Sequence, residues 1–271
     1  MRNRLPLSTM FTAIAVATVS IAPAAVKAAD APEIAAAVAD SHRSDAEKHR
    51  DQYRHPVQTL GFFGVQANQT VVEFNPSGGW YTAILAPMLA SKGHYIGLVS
   101  HNEKSESSLA KLIAAGGDRY RGATPATLDV ATGSSSMADA SADVVLTFRN
   151  VHNLIMAGDA PANGAFKAFY KMLKPGGVLG IVDHRLPETM DGALEKKSGY
   201  LKRSTVIRLA QAAGFRLAGE SAINANPADT HDWPEGVWTL PPSLELGDKD
   251  RAKYLAIGES DRMTLKFVKP N

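Results

Sequence analysis

The chain contains no cysteine in 271 residues. That excludes disulfides, thiolate metal sites and a cysteine nucleophile. Aromatic residues are scarce at 7%, so the three tryptophans, Trp80, Trp233 and Trp238, are each candidates for apolar recognition of a ligand. Long apolar runs are scarce too. The stretch from Phe11 to Ala25 is shorter than the ~20 residues a membrane span needs.

That apolar stretch follows Arg2 and Arg4 and ends at Val26-Lys27-Ala28, small residues where a signal peptidase cuts. Residues 1–28 are therefore expected to be a cleaved signal peptide, leaving a periplasmic or secreted protein with no stable membrane anchor. The leader takes three basic residues and no acidic one, so 29 basic against 27 acidic residues become 26 against 27. The mature chain thus lacks the basic field that nucleic acid requires. Its expected partner is a small-molecule substrate.

Residues 29–69 read as an N-terminal helical extension or lid, and residues 70–271 as one α/β domain. In the extension, Ser44 and Glu47 have capping-box spacing ahead of a helix reaching Tyr53. Arg54 and His55 then stand where they could reach over a site. From Val71 onward strands and helices alternate, the mark of a doubly wound, mostly parallel sheet. Expected strands are Val71–Phe74, His94–Val99, Ala126–Val130, Asp143–Phe148, Val178–Val182, Phe215–Ser221 and Met263–Val268. Ser204 is the expected cap of the helix that Gly214 ends. About 40 residues from Ala222 to Asp261 show no periodicity, but Trp233, Trp238 and Tyr254 predict an ordered cover.

The first strand ends in Glu73-Phe74-Asn75-Pro76-Ser77-Gly78-Gly79-Trp80-Tyr81-Thr82, followed by Ile84-Leu85-Ala86-Pro87. This resembles the first motif of class I S-adenosylmethionine-dependent methyltransferases, in the form found in exported bacterial predicted methyltransferases. Tyr53-Arg54-His55-Pro56, Thr147 to Asn153, Leu173 to Gly177 and Ile257 to Arg262 extend the resemblance over nearly all the chain after the leader. It implies a single Rossmann-like, seven-stranded α/β fold. It also implies a cofactor site at Glu73, Asn75, Ser77, Gly78, Gly79 and Ser100. Two departures from the family pattern bear on the cofactor. Asn75 and Ser77 replace glycines, and Ser100, His101 and Asn102 stand where the family carries an acidic ribose acceptor.

Ligands in such sheets bind beyond the carboxyl ends of the strands. His152 there is the expected general base, with Asp183 orienting it or acting as acid. Arg149, Asn150 and Arg185 are candidates to stabilise an oxyanion, with Tyr81 and His184 beside them. Arg54, His55, Trp80 and Trp233 are candidates for substrate binding. No histidine pair has i, i+4 ligand spacing, so no metal is expected. Because of the two departures and the expected export, the favoured expectation is an enzyme that uses no S-adenosylmethionine. It would perform lyase-type acid/base chemistry, such as formaldehyde-releasing carbon–carbon cleavage, on a small aromatic molecule. The alternatives are an S-adenosylmethionine-dependent methyltransferase of a small molecule and a non-catalytic binding protein. Bound cofactor discriminates the first alternative, and substrate turnover the second.

Overall fold

The structure, a computed structural model, describes residues 32–271; the leader lies outside the described residues. The extension carries helices α1 (Pro32–Val38), α2 (Asp45–His49), α3 (Asp51–Arg54) and α4 (Pro56–Phe63). Next come β1 (Thr70–Phe74), α5 (Thr82–Leu89), β2 (His94–Ser100), α6 (Glu103–Gly116), β3 (Thr124–Asp129) and the two-residue β4 (Ser134–Ser135). The second half holds β5 (Ala142–Phe148), α7 (Val151–Ala157), α8 (Asp159–Met172), β6 (Leu173–Leu186) and the two-residue β7 (Leu201–Lys202). It closes with α9 (Arg203–Ala212), β8 (Arg216–Ser221), α10 (Arg251–Ile257) and β9 (Arg262–Val268).

The strand order is β4-β3-β2-β1-β5-β6-β9-β8, with β7 beside β6. β1 pairs in parallel with both β2 and β5, and β9 runs antiparallel between β6 and β8. The seven long strands form the expected Rossmann-like, mostly parallel sheet, to which β4 and β7 add short edges. From β1 the chain winds outward through β2 and β3, then returns to β5 on the other side of β1. That reversal opens a crevice at the carboxyl ends of β1 and β5.

Both faces of the sheet are covered because successive strand residues point opposite ways. Val71, Val144, Leu146 and Val182 pack with Leu60, Phe63, Ile84 and Leu85 on the face of α4 and α5. Val72, Val145, Leu179 and Ile181 pack with Phe166, Phe169, Val206 and Ala210 on the face of α8 and α9. Phe63 is fully buried against the sheet, where Gly180 makes room: a Cβ at Gly180 would lie 2.7 Å from its ring. Truncating either phenylalanine of α8 to alanine would cost about 3–5 kcal/mol.

The capping box forms as its spacing predicts: Ser44 Oγ accepts from Glu47 N–H, and the Glu47 carboxylate accepts from Ser44 N–H. Ser204 does not cap α9. The Glu188 carboxylate takes both its N–H and its hydroxyl, so a distant acid satisfies that helix end. The cover between β8 and β9 is ordered around buried Asp229. Its oxygens accept from Tyr200 Oη, Trp233 Nε1 (2.7 Å) and the backbone N–H of Asp261 (2.8 Å).

Candidate functional site

β1 delivers the turn Asn75–Gly79 into the crevice. Asn75, Ser77 and Gly79 have φ of 50°, 53° and 78°. All three positions of the glycine pattern are therefore left-handed, although only one is glycine. Asn tolerates this conformation, while Ser77 carries a strain of about 1–2 kcal/mol. Its hydroxyl is turned back onto the Asn75 carbonyl, 3.3 Å away, and the residue is exposed. Gly79 is required twice over, by its φ and because a Cβ would meet Leu112 of α6 at 2.5 Å.

Asn150 locks the crevice. Its amide donates to the carbonyls of Asn75 (3.2 Å) and Phe148 (3.1 Å), tying the ends of β1 and β5 together. That amide is spent on backbone, so the expected oxyanion role of Asn150 gives way to a positioning role. Arg185 departs from its expected role for a similar reason: its guanidinium makes a two-pronged contact with Asp261, at 2.8 and 2.9 Å.

Three cavities border Ser77 at this edge, and two of them also share Arg149. The first, about 250 Å³, is lined by Arg50, Arg54, Glu73, Trp80, Tyr81 and Phe148 among others. Tyr81 stacks on Phe148 at 3.5 Å between ring centroids, and burial pushes its hydroxyl up to about 12. Arg54 lies over the Trp80 ring, 4.6 Å from its centroid. Glu73 is buried, accepts from Tyr95 Oη (2.7 Å) and Thr82 Oγ1 (3.0 Å), and is raised by burial to about 7.

The cations of this cleft converge on Glu259. Its carboxylate takes Arg50 Nε at 2.6 Å, Arg262 Nη1 at 3.0 Å and Arg54 Nε at 3.3 Å. Although burial opposes it, Arg262, Arg54 and Arg50 hold Glu259 down at about 2. One buried nitrogen each of Arg50 and Arg54 has no hydrogen-bond partner. Burial lowers Arg54 to about 9 and Arg149 to about 10, so both stay cationic at neutral pH.

The second cavity, about 220 Å³, is lined by His152, His184, Asn153, Trp238, Pro241 and Pro242 besides the shared residues. Asp183 is fully buried and bonded to the lining residue His152. One carboxylate oxygen accepts from Val151 N–H (2.7 Å) and His152 N–H (3.2 Å), the other from His152 Nδ1 and His184 N–H (both 2.8 Å). With Nδ1 donating, His152 carries its free lone pair on Nε2. Burial and the adjacent His152 and Arg149 hold His184 well below its usual value, so its imidazole is neutral. His184 Nδ1 shares a hydrogen bond with the Ser260 hydroxyl. Ligand atoms of His152, Asp183 and His184 lie within 4.8 Å of one another. A metal there would compete with the four N–H donors already on Asp183.

Sequence reasoning brought Arg54, Glu73, Asn75, Ser77, Gly78, Trp80, Tyr81, Arg149, His152 and His184 to these cavities. His55, Ser100 and Trp233 line neither. His55 serves as the left-handed junction between α3 and α4, and Trp233 is held by Asp229 and packs on Tyr254. Arg50, Phe148, Glu259 and Ser260 were not anticipated as site residues. The only sequence signal for the last two was the Ile257–Arg262 segment of the resemblance.

No family model and no curated protein matches the chain. Solved structures do. A SAM-dependent methyltransferase from Aquifex aeolicus superposes with a TM-score of 0.55 at 14% identity, covering 81% of this chain and 92% of that one. The [4+2]-cyclase SpnF gives 0.55 at 14% identity, covering 85% and 84%. An arsenic(III) S-adenosylmethionine methyltransferase from Chlamydomonas reinhardtii gives 0.50 at 15% identity, covering 89% and 74%. At such identities the likeness establishes the class I methyltransferase fold. The favoured expectation of a lyase without a cofactor is overturned by these neighbours, which are S-adenosylmethionine-dependent methyltransferases and one cyclase. One of its grounds was that Asn75 and Ser77 replace glycines, and the turn keeps left-handed geometry at both.

Proposed function

We propose that the protein is an S-adenosylmethionine-dependent methyltransferase acting on a small molecule. The observation that carries this reading is the left-handed backbone at positions 75, 77 and 79, on a strand end that opens into both cavities. The residues suited to hold the cofactor are the Asn75–Gly79 turn, with Arg50 and Arg54 lining the cavity beside it as cations for its carboxylate. When bound, S-adenosylmethionine supplies an electrophilic methyl group. This chain's own contribution is proton handling at the neighbouring cavity. His152 Nε2 accepts the proton of an acceptor hydroxyl, while Asp183 fixes the tautomer and stabilises the imidazolium that results. Trp238 and the paired prolines give that cavity an apolar wall.

The reading includes a leader cleaved near Ala28, a periplasmic or secreted location, a lid over residues 29–69 and a catalytic domain over 70–271. No helix among the described residues is long and apolar enough to cross a membrane. Two measurements test the whole. Calorimetry with S-adenosylhomocysteine should show saturable binding, which Gly79→Trp abolishes; absence of binding to the unmodified protein sinks the reading. Intact mass of protein from native cells should begin at or near Ala29.

A further inference from the structure

The first cavity has a charge surplus that its own residues do not balance. Arg50, Arg54 and Arg262 share the single carboxylate of Glu259. Two further acids line this cavity: Glu47, whose carboxylate is taken by the Ser44 N–H and hydroxyl, and Glu73, which burial raises to about 7 and which accepts from Tyr95 and Thr82. Arg149 adds a further guanidinium with no side-chain hydrogen bond or ion pair among the described residues. Uncompensated cations inside a low-dielectric cleft are costly and draw a counter-anion. The amino-acid end of S-adenosylmethionine does not supply one, since its carboxylate is matched by an ammonium and its sulfur is itself cationic.

The missing negative charge therefore belongs to the other ligand. Arg149 forms the wall between the cavities, and across that wall His152 presents a free Nε2 beside the flat surface of Trp238. We infer that the acceptor is a hydroxylated organic carboxylate, its anionic group seated on Arg149 and its hydroxyl on His152. A guanidinium fork matches a planar carboxylate, and a flat ring or chain between the two groups fits against Trp238. The inference rests on the methyltransferase reading for what happens to the hydroxyl. It does not need that reading for the anion.

The test uses the full mature chain and two matched probe sets, the three hydroxybenzoates and the three corresponding hydroxybenzamides, with affinities measured by calorimetry. At least one hydroxybenzoate should bind ten times or more tighter than its amide. Arg149→Gln should erase that ratio, Arg149→Lys should keep part of it, and melting temperatures should confirm that both variants are folded. Rising salt should weaken the acid and leave the amide unchanged. Inorganic phosphate at the same concentration serves as a rival anion, and tighter binding of phosphate than of every benzoate overturns the carboxylate assignment. Equal affinity of acid and amide, no binding by either set, or a ratio that survives Arg149→Gln overturns the inference as well. S-adenosylhomocysteine is titrated separately, so that its failure to bind counts against the proposed function and not against the anion.

Discussion

The arginine-lined cleft and the histidine-lined cavity share Ser77 and Arg149, yet they treat polar groups in opposite ways. In the cavity, both oxygens of Asp183 are fully engaged and each histidine has Nδ1 committed, which leaves Nε2 of His152 and of His184 as the free ring nitrogens. In the cleft, guanidinium nitrogens remain unpartnered and positive charge exceeds negative. Full satisfaction fixes a geometry, which suits proton transfer. A surplus of charge leaves binding energy to be realised with a ligand.

The largest expected effect breaks the locked side. His152→Ala should lower turnover of a confirmed substrate by about 10²–10⁴-fold with the melting temperature retained, as removal of a general base does. Full activity in that variant would make His152 a structural residue. Asp183→Asn should unfold the comparison further, because one nitrogen of the amide would face N–H donors that need an acceptor. A stability loss of about 1–3 kcal/mol beside the activity loss is expected, read by denaturant titration.

On the cleft side, Glu259→Gln leaves the buried Arg54 and Arg262 and the half-buried Arg50 without their carboxylate and should cost about 3–5 kcal/mol at neutral pH. The sign of its pH dependence follows from a folded-state value of about 2 against 4.5 unfolded. The stabilisation from Glu259 is complete above pH 4.5 and fades as pH falls toward 2. Stability curves of the variant and the unmodified protein should therefore converge in acid, and a constant gap down to pH 2 would contradict the ion-pair account.

Glu73 behaves in the reverse sense. Burial raises it to about 7, so between pH 4.5 and 7 the unfolded chain ionises while the folded one holds its proton. Rising pH through that window removes stability. Glu73→Gln keeps an acceptor for Tyr95 and Thr82 and should gain about 1–3 kcal/mol at pH 8 but nothing at pH 4, with thermal unfolding at the two pH values as the check. The smallest effects concern the turn. Ser77→Gly should relieve left-handed strain by up to about 1 kcal/mol. Ser100→Asp should tighten S-adenosylhomocysteine about tenfold by offering the ribose an acceptor. If the tightening is absent, Ser100 does not border the ribose.

Local patterning decided most of the fold. The apolar runs at Val71-Val72 and Val144-Val145, the apolar helix behind Thr82 and the capping box at Ser44 are short-range features, so strand and helix positions were legible in order. Strand ends then nominated His152, Asp183 and Arg149, because a parallel sheet presents its carboxyl edge to ligands whatever the side chains are. Tertiary structure alone decided what those groups do. Asn150 and Arg185 look like free polar groups in sequence, but the carbonyls of Asn75 and Phe148 and the carboxylate of Asp261, 76 positions away in the Arg185 pair, consume them. Arg50 and Arg54 meet Glu259 across more than 200 residues, a separation over which no periodicity or spacing carries information. The conformation of Ser77 is the same lesson from the other direction. Asn75 and Ser77 stand as departures from the glycine pattern in sequence, yet both adopt the left-handed conformation in the fold, with Asn150 holding the Asn75 carbonyl.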